Sequence, residues 1–86
     1  MLLISKPEID EQTVTLRLEG QLVGPWVDEL RRACEQFLGN GHQLVLDLTD
    51  VTFADRAGVA LLTGFKSRRV ALTNCSPFVE EQLKPR

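Results

Sequence analysis

The feature that most restricts the fold is a sharp corner inside LVLDLTDVTFADRAGVALL, residues 44–62. An apolar run suited to a buried strand stops at Asp55, and an apolar run with helical spacing begins just after Gly58. Aspartate is a favoured N-cap, so we predict that Asp55 caps a helix that uses Ala57, Ala60, Leu61 and Phe65. A strand that leads directly into a helix N-terminus is typical of an α/β sheet.

The segment before this corner supplies two strands and a helix. Val14, Leu16 and Leu18 alternate with polar residues, which predicts a half-buried strand from Thr13 that closes on Gly20. Leu2 to Ser5 predicts a first strand that pairs with it in an antiparallel hairpin, with PEIDEQ as the polar turn between them. Gly24 and Pro25 then open a helix that ends at GNG, and its apolar stripe is Trp26, Val27, Leu30, Ala33, Cys34, Phe37 and Leu38.

The remaining elements complete an α/β fold. The continuous apolar run from Leu44 predicts a strand buried on both faces of a parallel sheet, RVALTN predicts a fourth strand, and Ser76 caps a last helix beginning at Pro77. We therefore expect one domain over residues 1–86. Its mixed four-stranded sheet is flanked by about three helices, in the order strand, strand, helix, strand, helix, strand, helix.

The predicted topology also indicates where a site would lie. Loops that follow parallel strands leave the same edge of a sheet, so residues 22–26, 54–58 and 74–76 are expected along one rim, where ligands or partners bind. We predict a partner-binding surface there, formed by Gly24, Trp26, Asp55, Arg56, Ala57 and Gly58.

Composition argues against several other functions. The net charge of −2 does not favour nucleic acid binding, and no apolar run is long enough to enter a membrane, so we expect a cytoplasmic protein. Two cysteines without a Cys-x-x-Cys pair and one histidine indicate neither a metal site nor a disulfide. No second acid, histidine or nucleophile accompanies Asp55, so we expect no catalytic residues and no cofactor.

Several residues have two interpretations at this stage. Gly58 either admits a partner's backbone or lets the helix pack closely, and Trp26 belongs to the core or to the rim. A basic patch formed by Arg56, Lys66, Arg68 and Arg69 competes with a solvated helix end, which is the more ordinary explanation. Cys34 falls on the buried stripe, whereas Cys75 is either an inert loop thiol, which we favour, or a reactive one.

The segment LVLDLTDVTFADRAGVALL resembles the signature of STAS domains, the module shared by bacterial anti-sigma factor antagonists and the cytosolic ends of sulfate transporters. TVTLRLEGQLVGPWVDEL is similar to the second strand and first helix of that family, and RVALTNCSPFVEEQL to a later strand and helix. The resemblance covers nearly the whole chain. It implies a mixed sheet flanked by helices and a role in protein binding.

In the antagonists a serine just before the glycine is phosphorylated, and its unphosphorylated form binds an anti-sigma factor of the serine-kinase type. The resemblance places Asp55 at the family's aspartate, Ala57 at the serine and Gly58 at the glycine. Alanine has no hydroxyl, so the resemblance implies a binding module without a phosphorylation switch. A larger signalling or transport assembly is an alternative partner, a homodimer stays open, and a nucleotide- or small-ligand-binding domain is the alternative function.

Overall fold

The computed structural model describes residues 1–83. Within them the chain forms five strands and three helices in an α/β arrangement, which confirms the predicted fold class. The strands are β1 (Leu2–Ile4), β2 (Glu8–Asp10), β3 (Thr13–Leu22), β4 (Gln43–Ala54) and β5 (Ala71–Thr73). The helices are α1 (Pro25–Gly39), α2 (Arg56–Ser67) and α3 (Pro77–Leu83).

The sheet has the order β1-β3-β4-β5, with β2 also paired to β3. Strand β3 is antiparallel to β1 and β2 and parallel to β4, and β4 is parallel to β5, so the sheet is mixed as predicted. The predicted count of four strands was wrong, because Glu8–Asp10 was assigned to a turn. Its three exposed residues carry no burial pattern, and only pairing with Thr13–Thr15 makes them a strand.

One face of the sheet is buried beneath the helices. Leu44, Leu46 and Leu48 of β4 are buried, whereas Val45 and Asp47 between them are half-buried. The prediction that this strand is buried on both faces was therefore wrong. The buried residues of β3 and β4 join those of the three helices in one core cluster, and the alternate residues form the other, partly exposed face.

The β3/β4 pairing has two irregularities in the part of β4 that precedes the corner. The register shifts between Arg17 and Glu19 and again between Gly20 and Gln21, each time with one extra residue in β4. At the first shift, Asp47 Oδ1 accepts hydrogen bonds from both the backbone N–H and the hydroxyl of Thr49. At the second, the Thr52 hydroxyl donates to the Gly20 carbonyl at 3.3 Å. The shifts leave Leu48, Val51 and Ala54 on the buried face with a spacing of three.

The helix starts follow the predicted signals. Pro25 is in the first turn of α1, Asp55 is the N-cap of α2, and the backbone N–H of Val79 donates to the Ser76 hydroxyl at 3.2 Å. These contacts satisfy donors that a helix leaves free at its N-terminus.

Candidate partner-binding site

The carboxylate of Asp55 joins the first two predicted rim segments. Its Oδ2 accepts a hydrogen bond from the backbone N–H of Gly24 at 2.9 Å, and its Oδ1 accepts one from Gly58 at 2.8 Å. The backbone N–H of Asp55 also donates to the Leu22 carbonyl at 3.1 Å. One residue thus holds the start of α1 against the start of α2, which confirms its predicted cap and adds a bridging role.

The third predicted segment, residues 74–76, is not beside these two. Strand β5 has only three residues and pairs with Val45–Asp47, so it ends halfway along β4. Asn74 accordingly donates its side-chain N–H to Asp47 Oδ1 at 3.3 Å. Helix α3 reaches the corner instead, because Gln82 Nε2 donates to the Ala54 carbonyl at 2.9 Å. The rim therefore consists of residues 22–26 and 54–58, with α3 alongside.

Hydrogen bonding also sets the charge of the corner. The N–H of Gly24, followed by those of Gly58 and Ala57, holds the pKa of Asp55 below its ordinary value of 3.8, although desolvation opposes them. The carboxylate is therefore ionised at neutral pH, and backbone N–H groups of Gly24 and Gly58 donate hydrogen bonds to its two oxygens. It lacks the raised pKa that a general acid working near neutral pH would need.

We predict that Asp55→Asn lowers the free energy of unfolding at pH 7, and that the difference from wild type becomes smaller as the pH falls. A carboxylate whose pKa is depressed by folding contributes stability above its unfolded pKa, and that contribution is lost as the pH falls through the folded value. Chemical unfolding between pH 7 and pH 2 measures the convergence of wild type and variant. Asp50→Asn, which removes an exposed carboxylate away from the corner, is the matched control. A deficit that stays constant with pH would contradict the role of the charge.

Gly58 is buried, and its position is explained by packing within the chain. A Cβ at Gly58 would lie 2.6 Å from the Leu22 carbonyl oxygen and 3.0 Å from Leu22 Cγ. Helix α2 can lie against the end of β3 only if this residue has no side chain. Of the two interpretations left open by the sequence, the structure supports close helix packing.

The two residues before Gly58 are displayed to solvent. Arg56 and Ala57 occupy the first turn of α2 and both are exposed. Ala57 therefore presents a methyl group beside the carboxylate of Asp55 and not to the core. A small neutral side chain here leaves the surface of the first turn open to close approach.

The two site residues predicted around the start of α1 differ in their exposure to solvent. Gly24 is exposed and has φ of 57° and ψ of −133°, a combination that residues with a side chain rarely adopt. Its conformation aims its N–H at Asp55. Trp26 is half-buried and packs against the core, so it contributes to both the core and the surface.

An exposed aromatic pair next to the corner was missed in the sequence. Phe53 and Phe78 are 39% and 58% exposed, and their ring centroids lie 6.3 Å apart. Phe53 is two residues before Asp55, and Phe78 is in the first turn of α3. The apolar character of both was visible in the sequence, but their contact on the surface depends on the register shifts of β4 and on the docking of α3.

The basic residues near the end of α2 do not form one patch. Arg68 pairs with Glu35 of α1, with nitrogen-to-oxygen distances of 2.8 Å and 3.0 Å, and this contact lowers the pKa of Glu35. Lys66 is in the last turn of α2, where a cation complements the helix dipole. The solvated helix end therefore accounts for these residues better than a separate binding patch.

Neither cysteine has the surroundings of a reactive thiol. Cys34 is buried in the core, and burial, with the nearby charge of Glu35, raises its pKa to about 12. Burial and the charge of Glu80 also raise the pKa of Cys75. Both thiols are therefore protonated at neutral pH and are weak nucleophiles.

Within residues 1–83, no group of three or more His, Cys, Asp or Glu side chains could hold a metal ion. None of the helices in the same range is long and apolar enough to span a membrane.

Comparison with known proteins identifies the family. The family model described as "Mlab, STAS domain" matches residues 5–84. The chain belongs to the STAS domain family. The resemblance noted in the sequence is thereby confirmed, and the corner at Asp55 lies within the matched range.

The chain is also similar to one other protein in sequence and to one solved structure in fold. A STAS-domain containing protein of Pseudomonas aeruginosa (strain UCBPP-PA14) is 26% identical over 89 residues, which cover 96% of this chain and 88% of that protein. The structure of the anti-sigma factor antagonist SpoIIAA in its unphosphorylated form aligns with a TM-score of 0.72 and 23% identity. That alignment covers 99% of this STAS domain and 84% of SpoIIAA, and it shows a shared fold.

Proposed function

We propose that this STAS domain is a non-catalytic protein-binding module whose partner contacts the rim around Asp55. The observation that carries the proposal is that, at the corner, Asp55 is hydrogen-bonded within the fold whereas its neighbour Ala57 is exposed. Asp55 accepts hydrogen bonds from the backbone N–H of Gly24, in the loop before α1, and of Gly58, in the first turn of α2. A carboxylate that is hydrogen-bonded within the fold, next to an exposed small residue, favours protein binding over catalysis.

The proposed contact surface combines Ala57 and Arg56 with the exposed parts of Trp26 and of the Phe53/Phe78 pair. Aromatic residues and arginine are enriched among the residues that dominate binding energy at interfaces. Gly24 and Gly58 set the backbone that carries this surface, and Asp55 holds the loop before α1 against the start of α2.

We infer that the module has no phosphorylation switch at the corner. The position that resembles the regulatory serine is Ala57, which has no hydroxyl group. The nearest hydroxyls along the sequence are those of Thr52, which donates to the Gly20 carbonyl, and Thr63, which is nearly two turns further along α2. Neither occupies the place of the serine.

The likeness to the anti-sigma factor antagonist SpoIIAA favours a serine-kinase-type anti-sigma factor as the class of partner. A subunit of a larger signalling or transport assembly is the second candidate, consistent with the breadth of the family. A cytoplasmic location of this domain is consistent with both classes of partner.

A nucleotide site at the start of α2 is less well supported. An anion bound there would use the free N–H groups at the helix N-terminus. The carboxylate of Asp55 already accepts from Gly58 and repels a second negative group. The corner is therefore better suited to a protein surface than to a phosphate.

The proposal predicts that rim residues carry the binding energy. Once a partner has been captured and purified, Phe78→Ala is expected to weaken its affinity by about tenfold or more, because it removes an exposed aromatic anchor. Lys66→Ala, the control at the opposite end of α2, should change affinity by less than about fivefold, since solvated charges contribute little. Calorimetry on folded variants measures both. The reverse ranking would place the interface away from the rim.

A further inference from the structure

The open face of the sheet is the side that points away from the helices, on which Glu19 and Gln21 of β3 lie. Residues directly opposite each other on paired strands share a face of the sheet. Leu3 of β1 is paired with Glu19, and Phe53 of β4 with Gln21, so both apolar side chains lie on the open face. They are 50% and 39% exposed. The Met1 carbonyl accepts from the N–H of Gln21 at 2.7 Å, which places a third exposed apolar residue at this end of the sheet.

These residues, with Phe78 beside Phe53, form an apolar patch. It contains four of the five large apolar residues that are exposed within residues 1–83, namely Met1, Leu3, Phe53 and Phe78. The fifth, Ile9, is separate, because it pairs with the buried Val14 near the other end of β3. Single exposed apolar residues are ordinary, whereas a group of them marks a binding surface. Strand register, and not spacing in the sequence, creates this patch.

The open face is also acidic, and its charges are largely unpaired. Glu19 and Asp50 are opposite each other in the β3/β4 pairing, and both are exposed. Neither side chain has an ion pair or a hydrogen bond within residues 1–83. Arg17, the one cation in the five described strands, already lies 3.8 Å from Asp47. Like charges opposite each other destabilise a sheet, so a cation supplied from outside would relieve this repulsion.

We propose that the open face of the sheet binds a basic amphipathic helix of a partner protein. Apolar side chains of that helix contact Leu3 and Phe53, and its lysines or arginines pair with the carboxylates of Glu19 and Asp50 between them. The inference goes beyond the proposed function, because Leu3, Glu19 and Asp50 lie outside the rim.

Charge and sheet geometry favour this occupant over others. A second copy laid face to face would bring the carboxylates of both copies together, and nucleic acid or an anionic lipid surface would be repelled in the same way. The patch crosses β1, β3 and β4, and two strand spacings of about 4.8 Å give a width of about 10 Å, which matches a helix with its side chains. Parallel sheets are usually covered by helices on both faces, and β3, β4 and β5 are parallel.

Titration of the ¹⁵N-labelled full chain with two synthetic peptides tests the proposal. Both are capped, alanine-rich helices of about 16 residues with leucines one turn apart, a length at which isolated helices begin to form. The leucines are flanked by lysines in one peptide and by glutamates in the other. The lysine peptide is expected to shift the amides of residues 2–4, 17–21 and 50–53, and to bind about tenfold more tightly than the glutamate peptide.

Removal of the two carboxylates tests whether charge directs the binding. Glu19→Gln combined with Asp50→Asn should weaken the lysine peptide about tenfold, because two ion pairs are lost. Glu11→Gln combined with Glu29→Gln removes the same net charge from exposed residues outside the patch, and should leave the affinity within about twofold. Equal effects of the two double variants would show non-specific attraction and would overturn the proposal.

A second pair of variants tests the apolar contact. Leu3→Thr keeps a residue that favours strands but removes exposed apolar surface, and should weaken the lysine peptide about fivefold. Ile9→Thr makes the same change at the exposed residue outside the patch, and should leave the affinity within about twofold. Absence of shifts at millimolar lysine peptide, shifts centred on the helices, or unchanged affinity in Leu3→Thr would contradict the proposal.

Two other occupants are tested with the same labelled chain. Shifts of the open-face amides that grow with protein concentration alone would assign the face to a second copy. Shifts on addition of vesicles that contain phosphatidylserine would assign it to an anionic membrane. Either result would overturn the proposal.

Failure of this inference can be distinguished from failure of the proposed function, because the peptides report on the open face and Phe78→Ala reports on the rim. If the lysine peptide does not bind while Phe78→Ala still weakens the natural partner, the open-face proposal fails and the rim stands. If the lysine peptide binds the open face but Phe78→Ala leaves the natural partner unaffected, the open face is supported and the rim fails.

Discussion

Gly58→Ala is expected to lower the free energy of unfolding by about 1–3 kcal/mol, the usual range for forcing extra volume into a packed site. The added Cβ would lie 2.6 Å from the Leu22 carbonyl oxygen, which is a backbone atom and cannot turn aside. The same oxygen accepts from the N–H of Asp55 at 3.1 Å, so displacing it also disturbs the corner. Denaturant unfolding measures the difference in unfolding free energy, provided that the slope of free energy against denaturant concentration is unchanged. The melting temperature should fall by about 4–8 °C for each kcal/mol.

Gly64→Ala provides the matched control in the same helix. No atom lies within 4 Å of the added Cβ, so only the backbone effect remains, and the variant should gain about 0.5–1 kcal/mol. The two substitutions are chemically identical and are expected to have opposite signs. If Gly58→Ala were as stable as wild type, close packing of α2 on Leu22 would not explain this glycine.

Ala57→Asp is expected to leave the fold intact and to weaken partner binding by at least about tenfold. Ala57 is exposed in the first turn of α2, where the helix dipole favours a negative charge by about 0.3–1 kcal/mol and repulsion from the carboxylate of Asp55 opposes this effect. At the interface the same carboxylate must lose its hydration against a surface suited to a methyl group.

Unfolding and binding measured on the same sample test this prediction. Ala57→Ser is the control, since a small neutral side chain should bind within about threefold of wild type. If Ala57 were a buried packing residue, the aspartate would destabilise the fold by several kcal/mol. The exposure of Ala57 argues against that alternative. A folded Ala57→Asp variant that binds at full strength would exclude this residue from the interface.

Much of the corner could be predicted because its signals are local. Asp55 and Ser76 are N-caps, and a cap is specified by one side chain and the N–H groups two or three residues ahead. The apolar stripe of α1 and the Gly-Pro start are equally local. These elements, with the resemblance around Asp55 to Gly58, were sufficient to predict the family and the fold class.

Local sequence signals did not predict contacts between segments that are far apart in the chain. Asp55 was predicted as a cap for Gly58 but not as the acceptor for Gly24, which is 31 residues away. Gly58 had two interpretations until Leu22 was found beside it. Phe53 and Phe78 looked like ordinary apolar residues, and their exposure depends on how β4 and α3 meet.

The sequence by itself determined the helices, their caps and the presence of a displayed corner, because each depends on residues within about one helical turn. The tertiary structure alone decided the fifth strand, the one-sided burial of β4 and the site's final shape. Strand pairing joins residues that are far apart in sequence, and each extra residue in β4 changes the face on which later side chains lie. Two such shifts lie between Asp47 and Ala54, so the direction in which the corner points is set by β3 as much as by β4.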